Sequence, residues 1–196
     1  MSREMQRDML KFGITLLLFC AIGGGSLAFT YAATRPQIEA QAKLEEEKAC
    51  KIVMPGAEFK RRDDLIKIAE AQFPEQMGQG AGKVFDGLKG GKVVGSIIQL
   101  ASKGYGGPIL MAVGIHDGKV TGFTVIDHRE TAGLGSGIRD DLKFGAQFIG
   151  KTAKDPLEVK KDVVAITGAT KSSKGAASGV KAALEIYGKI YGGVAK

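Results

Sequence analysis

Residues 109–126 read ILMAVGIHDGKVTGFTVI, and the fold of the chain turns on them. Residues 109–115 and 120–126 are two apolar runs rich in branched side chains, and His116-Asp117-Gly118-Lys119 lies between them. Asp-Gly takes up the positive φ angles of a tight hairpin turn at little cost, so the two runs are expected to pair as antiparallel strands. Upstream, residues 93–98 (VVGSII) read as another strand, separated from Ile109 by the turn Gly104-Tyr105-Gly106-Gly107-Pro108. Strands that neighbour one another through short turns predict an α+β domain with a largely antiparallel sheet, not a doubly wound parallel one.

Outward from the hairpin, residues 127–137 (DHRETAGLGSG) form a polar, glycine-rich loop and residues 142–148 a short helix. Residues 163–166 (VVAI) read as a buried strand. Residues 172–191 are an alanine-rich helix with Val180, Leu184, Tyr187 and Tyr191 on one side. On the N-terminal side, residues 61–73 (RRDDLIKIAEAQF) suit a short amphipathic element and residues 78–82 a loop. Residues 36–49 are a charged helix former with Pro36 at its start, suited to a stalk.

Residues 12–34 carry no charge, and about 20 apolar residues suffice to cross a bilayer as a helix. The apolar core of a cleaved signal is shorter, about 7–15 residues, so length favours a retained anchor. Arg3, Arg7 and Lys11 precede the span, which places the N-terminus in the cytoplasm and the rest of the chain outside. The expected organisation is therefore a cytoplasmic N-terminus (1–11), a transmembrane helix (12–34), a juxtamembrane stalk (35–60) and an extracytoplasmic domain (61–196), single-pass in the cell (inner) membrane.

Composition narrows the partners. The chain has 196 residues, 44% of them hydrophobic and 25% charged, with a net charge of +7. The lysines are scattered and few aromatic residues lie among them for base stacking, which argues against nucleic acid. Cys20 and Cys50 fit neither a disulfide framework nor a metal pair, and only His116 and His128 offer imidazoles, so no metal site is expected. Two histidines also leave no nucleophile–histidine–acid set for a hydrolase.

Two segments carry the chemistry. Residues 166–173 (ITGATKSS) place small residues and hydroxyls where a strand turns into a helix. A helix N-terminus has unpaired N–H donors and the positive end of the macrodipole, which suit a phosphate. Thr170 could equally serve as a simple helix cap. Residues 130–135 (ETAGLG) form the second segment, readable alone as a glycine-rich turn. Neither is a Walker A loop, and no GxGxxG unit for a dinucleotide is present.

Taken together and behind one anchor, these segments resemble RnfG (RsxG), the FMN-binding G subunit of the Rnf electron-transport complex, and the likeness extends over nearly the whole length. It includes the span, the Gly104–Ile109 turn, the hairpin, the Glu130 loop and the Thr167–Ser173 run. The resemblance implies an FMN-binding domain in which Thr170 carries FMN covalently through a phosphoester installed by a flavin transferase. Thr167, Gly168, Ala169, Ser172 and Ser173 would complete the phosphate end. Thr131, Gly133, Leu134 and Gly135 would approach the ring system. Glu130 would bond a flavin edge or backbone amides, or else stand as a solvated carboxylate, and Tyr105 would either stack on the flavin or pack on the surface. No residue would be catalytic beyond electron transfer. The nicotinamide, iron–sulfur and ion-path functions would belong to the other membrane and peripheral subunits. The chain departs from the family pattern at Val164, where an acid is usual, and at Ala132, where proline is usual. Two further readings remain: the C subunit of a sodium-pumping NADH:quinone reductase or a stand-alone FMN-binding protein, and an anchored binding module without a covalent cofactor.

Overall fold

A computed structural model describes residues 3–78, 80–133 and 135–192. The chain forms two units, Met1–Leu44 and Glu45–Lys196. Within the first lies most of helix α1 (Arg3–Val53). Phe12, Leu16, Leu17, Phe19, Ile22, Leu27 and Phe29 are all exposed on it. A helix apolar around its whole circumference has no hydrophilic side to give to water. It is long and apolar enough to cross a membrane. Pro36 lies inside α1, not at the start of a separate helix as the sequence suggested. Proline there removes one N–H donor, and the strong helix formers after it carry the element on.

The second unit is a five-stranded antiparallel meander in the order β1-β2-β3-β4-β5. The strands are β1 (Glu58–Arg61), β2 (Lys83–Lys89), β3 (Lys92–Lys103), β4 (Pro108–His116) and β5 (Lys119–His128). As expected, Asp117 and Gly118 turn between β4 and β5 with φ of 49° and 71°. The short helices are α2 (Asp63–Gln72), α3 (Pro74–Met77), α4 (Gly137–Asp140) and α5 (Leu142–Ala146), and the long C-terminal helix is α6 (Thr170–Tyr191).

Both faces of the sheet are covered, which is why β3 and β4 read as continuous apolar runs instead of alternating ones. Ile98, Leu100, Met111, Val113 and Ile115 join Val180, Ala183, Leu184 and Ile186 of α6 in the main core. Ile97 and Ala112 point to the other face and pack with Ala49, Cys50, Val53 and Met54 at the end of α1. That end is seated by two glycines that pair across β4 and β5, Gly114 and Gly122. A Cβ on Gly114 would meet the Val53 side chain, and one on Gly122 the Val53 backbone. Burial pushes the Cys50 thiol up to about 11.

A buried carboxylate ties the edge strands to α6. Asp86 of β2 accepts from Arg62 at 2.6 Å and from the Tyr191 hydroxyl. Burial, with Asp86 beside it, raises the Tyr191 phenol.

Residues 163–166 are not a strand. Val163 makes one isolated parallel bridge to Val159, and Val164 is 75% exposed. Among the described residues no named strand pairs with this segment; side chains take part of its main chain, Gln147 at Val164 and Ser173 at the Ile166 N–H, and local turns take the rest of Val163 and Ile166.

Candidate functional site

The site forms where three segments distant in sequence meet: the β3–β4 turn, the loop after β5, and the start of α6. Ser102 at the end of β3 donates to the Gly175 carbonyl at 2.7 Å, which holds the first turns of α6 against that strand.

Glu130 joins all three. Its side chain is buried, and Oε1 accepts the backbone N–H groups of Tyr105 at 2.8 Å and Gly106 at 3.1 Å. Oε2 accepts the Ser172 hydroxyl at 2.5 Å. Glu130 is therefore not the solvated carboxylate that the sequence also allowed: it is buried and bonded to backbone amides. Gly104 and Gly106 are required by this closeness, because a Cβ on the first would meet Glu130 Oε1 and on the second the Arg129 carbonyl. Gly135 is equally confined: a Cβ there would lie 2.8 Å from Glu130 Oε2 and 3.1 Å from Ser172 Oγ.

The first turn of α6 is built for an anion. Its cap residue, Ala169, offers no side-chain acceptor, and the first turn contains no acid. The N–H groups of Thr170, Lys171 and Ser172 have no acceptor among the described residues. Lys171 Nζ lies 5.0 Å from the centre of the Tyr105 ring, a cation–π contact that keeps the ammonium at the rim. Free N–H groups, a nearby cation and the dipole all favour a negative group in the same place.

A cleft of about 250 Å³ opens beside this turn, lined by Tyr105, Glu130, Thr131, Gly135 and residues 168–172. Thr170 is exposed and also borders a second cleft of about 440 Å³ formed with residues 159–165. Of the residues singled out from sequence, Tyr105, Glu130, Thr131, Gly135, Gly168, Ala169, Thr170 and Ser172 therefore come together. Gly133 is exposed one turn away and donates its N–H to Ser136 at 3.1 Å. Leu134 lies outside the described residues. Thr167 faces a neighbouring cleft with Gln147 and Val164. Ser173 is fully buried; its hydroxyl donates to the Ala169 carbonyl at 2.9 Å and accepts the Ile166 N–H at 3.1 Å.

Gly104, Gly106 and Lys171 lie in segments marked from the sequence but are not among the site residues named there, and Gln147 lies outside those segments. Lys171 had a signal, since a lysine in the first turn of a helix opposes the dipole unless an anion sits there. His128 accepts the Glu130 N–H at Nδ1, while its buried Nε2 has no partner among the described residues.

The geometry fits the phosphate end of FMN, with N–H donors and Lys171 for the anion and a hydroxyl at the mouth of the cleft. Comparisons with known proteins bear on the cofactor and the family, not on the residues that hold it. A model of the FMN-binding domain matches residues 104–185, and one of the RnfG N-terminal region matches residues 1–53. The G subunit of the Na(+)-translocating ferredoxin:NAD(+) oxidoreductase complex of Acetobacterium woodii is 33% identical, over 91% of each chain. The G subunit of the proton-translocating ferredoxin:NAD(+) oxidoreductase complex of Clostridium ljungdahlii is 32% identical over 98% of this chain and 100% of its own. Among solved structures, the C subunit of the Na(+)-translocating NADH-quinone reductase from Parabacteroides distasonis has a TM-score of 0.45 and 24% identity, over 56% of this chain and 62% of that one. The match to these G subunits along both the N-terminal region and the FMN-binding domain shows that the chain belongs to the RnfG family, the G subunits of ion-translocating ferredoxin:NAD(+) oxidoreductase complexes.

Proposed function

We propose that this chain is the flavin-carrying G subunit of an ion-translocating ferredoxin:NAD oxidoreductase, with FMN held covalently on Thr170. One observation carries the reading: an exposed threonine stands at a helix start whose first N–H groups have no acceptor among the described residues, beside Lys171 and the cleft under Glu130. Bound FMN supplies electron transfer, and the protein's part is to hold and orient it. The N–H groups of residues 170–172 and Lys171 balance the phosphate charge, and Glu130 keeps the Tyr105 turn and α6 at a fixed separation. Ser172 serves through Glu130, and Ser173 by closing the turn around Ile166.

The attachment needs no base from this chain. A phosphate monoester has no good leaving group, so the donor is a flavin nucleotide with a pyrophosphate and the catalyst a separate flavin transferase. The Thr170 oxygen gives up its proton to a base of the transferase and bonds phosphorus as the pyrophosphate P–O bond breaks. The nucleoside monophosphate leaves with that electron pair.

Residues 12–34 are the bilayer anchor in this reading, followed by the stalk of residues 35–60 and the flavin domain of residues 61–196. Arg3, Arg7 and Lys11 support a cytoplasmic N-terminus, with the flavin domain outside the inner membrane. Other Rnf subunits supply and receive the electrons. Full chain co-expressed with a flavin transferase should give a fluorescent flavin band after SDS denaturation, and Thr170→Ala should give none. A dark wild-type band would favour an anchored module without covalent cofactor. A bright Thr170→Ala band would move the attachment elsewhere.

A further inference from the structure

The segment that leads into Thr170 is held in an unusual way. Among the described residues no strand lies beside 164–167, yet the main chain of Val164 is paired at both its N–H and its carbonyl. Gln147 Oε1 accepts the Val164 N–H at 2.7 Å, and Gln147 Nε2 donates to the Val164 carbonyl at 3.2 Å. A primary amide carries the same donor and acceptor as a peptide group, so one glutamine replaces a neighbouring strand at this residue. Gln147 is itself fixed. It follows α5 between Phe144 and Phe148, both in the core, and their rings pack edge to face at 5.4 Å. Two residues on, Ser173 takes the Ile166 N–H.

The result is a run pinned by its backbone and by Ile166, which packs against the core, with the side chains of Val164, Thr167 and Thr170 turned outward. Val164 is 75% exposed and Thr167 and Thr170 are exposed, while the N–H and carbonyl of Ala165 have no partner among the described residues. Because the Gln147 contact is to main chain only, it is indifferent to the side chain at position 164.

We infer that Gln147 is a positioning residue that presents residues 164–170 to the enzyme that modifies Thr170; this rests on reading Thr170 as the acceptor. Transfer to a hydroxyl needs the oxygen in line with the phosphorus, and an acceptor run free to wander meets that geometry rarely. Val164 is uncharged, and what this chain offers at that position is a main chain fixed at both its N–H and its carbonyl.

The test uses full chain in detergent, purified transferase and a flavin pyrophosphate donor, with FMN incorporation followed by intact mass against time. Gln147→Ala should slow incorporation about ten- to a hundredfold, mainly in kcat with the chain as varied substrate. Gln147→Glu, which keeps the acceptor for the Val164 N–H but loses the donor, should fall between. Amide exchange at Val164 should be slow in the wild type and fast in Gln147→Ala, and Lys143→Ala should leave both readouts unchanged. If Gln147→Ala does not fold, Gln147→Glu decides by the same rate and exchange. Wild-type rates in the folded variants, or an unprotected Val164 amide in the wild type, would overturn the inference while leaving Thr170 as acceptor. A wild-type chain that takes up no flavin would remove the acceptor reading and this inference with it.

Discussion

β4 ends in a turn at each side, and the two turns are held by different physics. Asp117-Gly118 is set by local backbone preference: both residues take positive φ, and nothing lies within 4 Å of a Cβ placed on Gly118. At the other end, residues 104–107 keep one internal bond, Gly104 N–H to the Gly107 carbonyl at 2.9 Å. The amides of Tyr105 and Gly106 go to a carboxylate from the loop after β5, Glu130, whose second oxygen holds α6. One turn only connects strands. The other is part of the site, and its shape depends on residues that no local pattern contains.

Removing the carboxylate should have the largest effect on that contrast. Glu130→Ala orphans two amides and the Ser172 hydroxyl, and should cost about 3 kcal/mol in denaturant unfolding. Glu130→Gln keeps a carbonyl for both amides and an NH₂ for Ser172, and should cost about 1 kcal/mol. Equal losses in the two variants would break the account of Glu130 as a three-way tie.

Glycine replacement is the next largest. Gly106→Ala drives a methyl into the Arg129 carbonyl and should cost about 2 kcal/mol. Gly118→Ala meets open space and pays only for its φ of 71°, about 1 kcal/mol. Reversed values would mean that local strain, not the approach of the Glu130 loop, sets both turns.

The smallest effect is a pH dependence away from either turn. Burial raises the Cys50 thiol to about 11 and also raises the Tyr191 phenol, so both groups hold their protons more tightly folded than unfolded. Their contribution is intact below pH 9, the ordinary thiol value, and stability should fall as pH rises from there through 11. Alkylation of Cys50 should be slow at pH 8 and become fast only on unfolding. Fast labelling of the folded chain would contradict the packing of residues 49–54 against the sheet.

What could be read from sequence follows the same division. The β4–β5 hairpin was legible because Asp117-Gly118 states its own turn, and α6 because Val180, Leu184 and Tyr187 recur at helical spacing. β1 and β2 were not, since β1 is a short polar edge strand and β2 buries Asp86 where alternation calls for an apolar residue. Residues 163–166 look like a strand by composition, but their pairing partner is a side chain. At the site, the two loops were each visible, whereas their junction was not. Glu130 binds partners 24, 25 and 42 positions away, and a carboxylate gives no sequence sign of which amides it will meet.

The central claim is that the α6 start holds a flavin phosphate on the Thr170 hydroxyl. Intact mass with peptide mapping, on full chain co-expressed with a flavin transferase, tests it most directly. The account predicts one added FMN less one water, carried on the peptide that contains Thr170 and lost in Thr170→Ala. An unmodified wild-type chain, or the same increment on another residue, would contradict it.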